Sequence, residues 1–246
     1  MDRDTKTLGI VVRSERWGTN DRMLTILSPE KLLRAKVYGA RSGKHSLKIP
    51  VYTEGTFSLE SARQGAPKVK DADVLSYHDC LSGDYSLQVR AALLSELVIT
   101  SRVAEPALYS LYCHALDAFE TEDKDRVSVC FLVHYLALEG LSGDWRTCPV
   151  CGRGYGEGEV IGFSLEDSVA ACSDCDTMQG ALPLPPNARS YLARAMELPF
   201  NEAVGLAVSE SQERRVFRYL LRTLRLSCPG KLNTPESVLE DLEMSR

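Results

Sequence analysis

Four cysteines carry the clearest chemistry in this chain. They stand as Cys148-x2-Cys151 and Cys172-x2-Cys175, with twenty residues between the pairs. Two residues between cysteines let both thiolates of one knuckle reach the same ion while backbone N–H groups point at the sulfurs. Two knuckles make a tetrahedral, all-thiolate site, and the spacing sits at the upper edge of the four-cysteine zinc pattern. Turn residues surround each pair, Pro149 and Gly152 in the first and Ser173 and Asp174 in the second. The expectation is one structural Zn2+ ion, with an iron–sulfur cluster the alternative that four cysteines also hold. A catalytic zinc keeps a position open for water and takes three protein ligands as a rule, whereas four thiolates fill the shell. A thioredoxin-type redox centre needs a strand–helix setting that residues 145–156 do not offer. The ion is then expected to be a clip, replacing a hydrophobic core for a segment of little apolar content.

The other cysteines are quieter. Cys113 and Cys130 fall in apolar helical patterns and are expected to be buried as small hydrophobes. Cys80 and Cys228 lie near turns and receive no role. No secretory segment is evident, and no run of about 18 apolar residues spans a membrane. A cytoplasmic protein with reduced thiols is therefore expected.

A second constellation is basic. Between Lys31 and Lys48 stand Lys31, Arg34, Lys36, Arg41, Lys44 and Lys48, with His45 and no acid. In a strand over "RAKVY", Arg34 and Lys36 share one face and Ala35 and Val37 the other. The loop "GARSGKHS" adds glycine flexibility, cations and hydroxyls, a surface suited to phosphates. The bland reading is a solubilising loop beside an edge strand protected by cations. A P-loop is excluded, because Gly39 to Gly43 is one residue short and His45 stands where Ser or Thr is needed. Trp17 and Tyr38 are candidates for base stacking, or for the core.

A third feature is the row Arg214, Arg218, Arg222 and Arg225, with Arg215 beside it and Val216, Phe217, Leu220, Leu221 and Leu224 on the opposite side. It is either the solvated face of an amphipathic helix or a stripe for phosphates or a partner. The search for catalysis returns nothing. His114 and His134 fall in apolar helical patterns and are expected to pack. No Gly-x-Ser-x-Gly and no dinucleotide fingerprint occurs, and "RGYGEGE" lies within the cysteine segment. No enzyme is expected.

These groups need elements to position them. Five strand-like stretches, "TLGIVVRS", "RMLTILS", "LLRAKVYGA", "VYTEGTFSLES" and "PKVKDADVLSY", occupy the first 79 residues. Short strands at this spacing suggest a small barrel of OB type, or an SH3-like one. The period then changes. Leu87, Ala91, Leu94 and Val98 mark one helix, with Asp84 or Ser82 as N-cap, and Pro106 opens a second. A third runs through Val129 to about Leu138, with Gly140 after it. Beyond "LPLPP", Asn187 is expected to cap a short helix and Ser209 or Ser211 a longer one to about Leu226. Thr234–Pro235–Glu236 starts the last. The predicted class is α+β, multidomain: an N-terminal OB-fold barrel and a helical domain with an inserted four-cysteine zinc module. The expected boundaries are 1–79 for the barrel, 80–144 and 181–246 for the helical domain, and 145–180 for the zinc module.

Net charge is −5, which alone argues against nucleic acid. Its distribution does not: residues 1–79 hold 14 Lys+Arg against 10 Asp+Glu, and the remainder 15 against 24. Such asymmetry suggests separate surfaces for separate partners.

The order of motifs resembles the RecO family of bacterial recombination mediators. The resemblance runs over nearly the full length and rests on "GIVVRSERWGTNDRMLTILS", "AKVYGARSGKHS", the helical stretch after residue 80 and "EGLSGDWRTCPVCG…ACSDC…LPLPP". It implies an OB-fold, a helical domain and a zinc module held by Cys148, Cys151, Cys172 and Cys175. It also implies binding of single- and double-stranded DNA, strand annealing, partnership with RecR, and help in loading RecA onto strands coated by SSB. The family's basic loop falls on Lys36, Arg41 and Lys44, and the full candidate nucleic-acid set is Arg34, Lys36, Arg41, Lys44 and Lys48. The chain departs from the family at "EDSVAA", where a Gly-Gly pair is usual, and at "SPEKLLRAK", which lacks a glycine. The alternative function is a protein-interaction scaffold whose acidic helical domain recruits partners, with incidental DNA contact.

Overall fold

The protein is described here from a computed structural model covering residues 4–40, 47–101, 106–143, 145–227 and 232–244. Five strands come first: β1 (Asp4–Trp17), β2 (Asp21–Leu27), β3 (Leu32–Val37), β4 (Glu54–Glu60) and β5 (Lys68–Ser76). They close into a barrel in the order β1-β2-β3-β5-β4. β1 makes closure possible because it is long enough to serve two neighbours. Its first half pairs with β4 and its second half with β2, with a register shift between Val11 and Arg13. Such a shift bends the strand. The seam between β3 and β5 is a single parallel step, Lys36 against Lys68. Alternation along the strands fills the interior with Val11, Leu24, Ile26, Ala35, Val37, Phe57, Leu59 and Val69. At the tightest corner Gly9 faces Gly55 across β1 and β4. A Cβ on Gly9 would lie 2.7 Å from the Leu27 carbonyl oxygen, and one on Gly55 2.4 Å from that of Asp73. The "VYTEGTFSLES" stretch begins its strand only at Glu54, since Tyr52 turns the chain at φ 72.

Helices follow: α1 (Tyr85–Thr100), α2 (Pro106–Ala118), α3 (Lys124–Leu138), α4 (Pro186–Glu197), α5 (Phe200–Val204), α6 (Glu210–Ser227) and α7 (Thr234–Met244). Between α3 and α4 lies a hairpin, β6 (Gly162–Ser164) and β7 (Val169–Ala171). The Asp84 carboxylate accepts from the Ser86 and Leu87 N–H groups, and Asp123 does the same at the start of α3. The Ser209 hydroxyl oxygen accepts from the Gln212 N–H at 3.4 Å before α6. Asn187 is not a cap. It lies inside α4, which starts at Pro186 with no side-chain cap, because proline at the first turn has no N–H needing one.

α3 is buried along most of its length, from Val127 through Val133. It contacts α1 and α2 on one side of the cysteine segment and α4, α5 and α6 on the other. Helices before and after that segment therefore share one core, which Ile161, Phe163, Leu182 and Leu184 also join. Arg90, 1% exposed, holds Asp125 and, at 2.6 Å, Asp241, tying α1 to α3 and α7. A buried guanidinium needs such partners to offset its lost hydration. The barrel sits on this core through Ile10, Val12 and Leu27. The Tyr109 hydroxyl donates to Glu54 at 3.0 Å across the junction. His78 bridges the Tyr52 carbonyl oxygen at 2.8 Å and Asp117 at 3.0 Å.

Cys113 and Cys130 are buried as expected. His134 packs between the carbonyl oxygens of Cys130 and Leu198, each at 3.0 Å. His114 does not: it is exposed on α2, because its neighbours Cys113 and Ala115 take the core side of the turn. Cys228 lies outside the described residues.

Candidate metal centre and nucleic-acid interface

The first knuckle is a tight turn off an isolated bridge between Thr147 and Gly154. The Cys148 N–H donates to the Arg153 carbonyl oxygen at 2.7 Å, and the Gly152 N–H to that of Cys148 at 2.8 Å. Gly152 makes this possible at φ 73, which a side chain would resist. The second knuckle follows β7 directly, with the Cys175 N–H donating to the Cys172 carbonyl oxygen at 3.0 Å. The four sulfurs lie within 4.8 Å of one another. The Cys151 and Cys172 sulfurs are 3.7 Å apart, close to the edge of about 3.8 Å expected of a tetrahedron with ~2.3 Å metal–sulfur bonds. Cys148 and Cys172 are fully buried, while Cys151 faces solvent. The donor set and its geometry fit one tetrahedral, thiophilic ion.

Backbone N–H groups favour the thiolate at one of the four sulfurs, and neighbouring thiols oppose it at another. Burial raises the Cys148 thiol, but N–H groups of Cys172, Cys151 and Val150 outweigh it and bring the pKa to about 7. The Cys172 N–H lies 3.4 Å from that sulfur. Hydrogen bonding with Cys172 and Cys151 pushes the Cys175 thiol up to about 12.

Two carboxylates brace the knuckles. Glu159 takes a bidentate bond from the Arg153 guanidinium at 2.8 and 2.9 Å, and accepts from the N–H groups of Gly156 at 2.7 Å and Ser173 at 3.1 Å. It therefore links the first knuckle to the second. The Arg153 partner, with those N–H groups, holds its carboxyl well below the usual range. Asp176 accepts from the N–H groups of Phe163, Met178 and Gly180. It fits because residue 162 is glycine, where a Cβ would lie 2.2 Å from the Asp176 carboxyl carbon. Sequence reading missed both. The signals were Asp176 following the last cysteine directly and Glu159 closing the "YGEGE" run. Buried Trp145 anchors the segment's entry edge-on against Tyr219 of α6, with ring centroids 6.3 Å apart.

The barrel presents the second site. Arg34 and Lys36 point outward from β3 while Ala35 and Val37 point in, as the alternation predicts. Lys36 lies over the Trp17 ring, 5.5 Å from its centroid, and Lys68 of β5 over Tyr38 at 5.6 Å. Both aromatics are exposed, at 45% and 50%. They are surface groups and not core. Each cation–ring pair offers a π-face beside a positive charge. Lys68 was not singled out from sequence, because only the closure of β5 onto β3 brings it here. Arg34 is engaged by Glu15 at 3.2 Å. Lys48 stands apart from these pairs, on a hollow of about 540 Å³ shared with Arg22, Leu24 and Val37. Arg41 and Lys44 lie outside the described residues.

The arginine row lies along α6 as expected. Arg214 pairs with Glu210 at 2.7 Å and Arg225 with Glu236 at 3.1 Å. Arg218 reaches the Leu242 carbonyl oxygen at 3.3 Å, and Arg222 is exposed. Among the described residues, no helix is long and apolar enough to cross a membrane.

Comparison with known proteins places this arrangement. The family model described as "Recombination protein O C terminal" matches residues 85–236. The DNA repair protein RecO of Synechococcus elongatus is 32% identical over 128 residues, 50% of this chain and 48% of that protein. The DNA repair protein RecO of Synechocystis sp. is 29% identical over 213 residues, covering 80% of this chain and 76% of its own. That of Nostoc punctiforme is 24% identical over 231 residues, covering 81% and 77%. Against the Synechococcus relative, the chain thus spans about half of the relative's length.

Proposed function

The chain belongs to the RecO family, and from that premise we propose that it is a DNA-binding recombination mediator acting in DNA repair. Its barrel, of OB type in strand number and order, holds single strands. It anneals complementary strands and helps load a recombinase of RecA type on SSB-coated DNA, in partnership with RecR. It performs no bond-making step of its own. The observation that carries this reading is the outward face of the barrel, where Trp17 and Tyr38 are exposed and each lies under a lysine. Base–aromatic stacking tolerates any sequence, and lysines beside the rings neutralise phosphates. A strand held this way keeps its bases free at one edge, and its reduced charge lets a complement approach.

The cysteine cluster serves this function indirectly, as a zinc clip. Cys148, Cys151, Cys172 and Cys175 would hold the ion, which supplies folding energy to the segment and no chemistry to DNA. Four sulfurs at tetrahedral spacing leave no position for water, which supports the structural role. The acidic helical part favours a second reading, a scaffold for protein partners with incidental DNA contact.

Trp17→Ala combined with Lys36→Gln separates the two. Loss of stacking is worth about 1–3 kcal/mol per base, so single-strand affinity is expected to fall at least tenfold, with annealing of fluorescent complementary oligonucleotides slowed in step. Unchanged affinity and annealing in the double variant would remove this face from the function and leave the scaffold.

A further inference from the structure

A second basic surface lies far along the chain from the barrel. α6 and the "LPLPP" segment enclose a groove of about 690 Å³ lined by Arg214, Arg215, Arg218 and Arg222, with Pro183 and Tyr219 in its wall. One carboxylate, Glu210, also lines it, and that group is engaged by Arg214. Among the described residues, Arg215, Arg218 and Arg222 have no acidic partner. This happens in the part of the chain where acids outnumber bases by 24 to 15. In the wall of the groove, Nε of Arg218 is buried and has no hydrogen-bond partner among the described residues.

The spacing narrows the ligand. Arg214, Arg218 and Arg222 recur every four residues, so they run about 12 Å along the helix axis. A single small anion does not bridge that length, whereas a linear polyanion does. All five cations of the α6 face are arginine and none is lysine. The planar guanidinium fork matches phosphate oxygens two at a time. The row continues past Leu182 into an adjoining hollow of about 380 Å³ shared by Arg222 and Arg225.

We infer that this groove is a second nucleic-acid site, holding the phosphate backbone of a strand other than the one on the barrel. The inference rests on the nucleic-acid reading above and adds to it a location for the second strand. One chain then bridges two molecules of nucleic acid through surfaces of its own.

Arg215→Gln with Arg222→Gln tests it. Both side chains are exposed and unpaired, so the fold loses no contact; a wild-type circular dichroism spectrum and melting temperature check this. Two non-complementary oligonucleotides carry a donor and an acceptor dye, the second as a single strand in one arm and a duplex in the other. The full-length wild-type protein is expected to bring the dyes into energy transfer. The double variant is expected to lose at least fivefold of that transfer in one or both arms, while affinity for the first strand stays within twofold. The arm that fails identifies the form of nucleic acid held. Transfer unchanged in both arms overturns the inference. So does a polyglutamate peptide that binds wild type but not the variant while transfer persists, since the groove would then take an acidic protein segment. A failure of the barrel reading looks different, because it shows as unchanged first-strand affinity in the Trp17→Ala, Lys36→Gln variant.

Discussion

At the scale of single residues, the proposed zinc site needs each of its four sulfurs. Cys148→Ser is expected to lower bound zinc, measured by elemental analysis of purified protein, from one ion per chain to under a tenth. A full equivalent retained would contradict the site. The clustering of the four cysteines was legible because Cys-x2-Cys spacing is itself the geometric requirement. Glu159 and Asp176 were not, since a carboxylate bracing a turn has no period and no fixed partner distance. A separate titration belongs to Glu213 on α6. Burial first, and then the Asp123 charge, raise its carboxyl from 4.5 to about 7, against the pull of Arg126. The folded state therefore holds this proton more tightly than the unfolded chain does. Its contribution to stability is full below 4.5 and is lost as pH rises through 7. Glu213→Gln is expected to flatten the pH dependence of the denaturation midpoint over that window. A slope equal to wild type would show that Glu213 does not titrate there.

At the scale of elements, the barrel depends on how closely β1 and β4 approach. Gly55→Ala puts a methyl group 2.4 Å from the Asp73 carbonyl oxygen. Overpacking of this kind costs about 1–3 kcal/mol, so the urea midpoint is expected to drop with the slope unchanged. A midpoint equal to wild type would mean that the corner relaxes freely. The five strands were visible in sequence because alternation and turn residues are local signals. The double duty of β1 was not, because its bend depends on pairing with strands on either side. The β6–β7 hairpin, three residues a strand, and α5, five residues, were missed because neither is long enough to show a period. The Asn187 cap failed for a related reason: two prolines before it had already set the helix start.

At the scale of the whole molecule, charge and hydrophobic core divide the work. The barrel carries outward aromatic–cation pairs, and the helices fold the chain back on both sides of the cysteine segment into one core. Order and composition made this plan legible, from β-rich start to inserted cysteines. Which cations meet on one face was not legible, because Lys36 and Lys68 are neighbours only through barrel closure. On the proposed function, this barrel binds the phosphates of a nucleic-acid strand. The most direct test is fluorescence anisotropy of a labelled single-stranded oligonucleotide titrated with the full-length protein at several salt concentrations. With three to five cations neutralising phosphates, the logarithm of the binding constant is expected to fall against that of salt with a slope of about −2 to −4. A slope near zero, or no binding even at the lowest salt, would contradict the account.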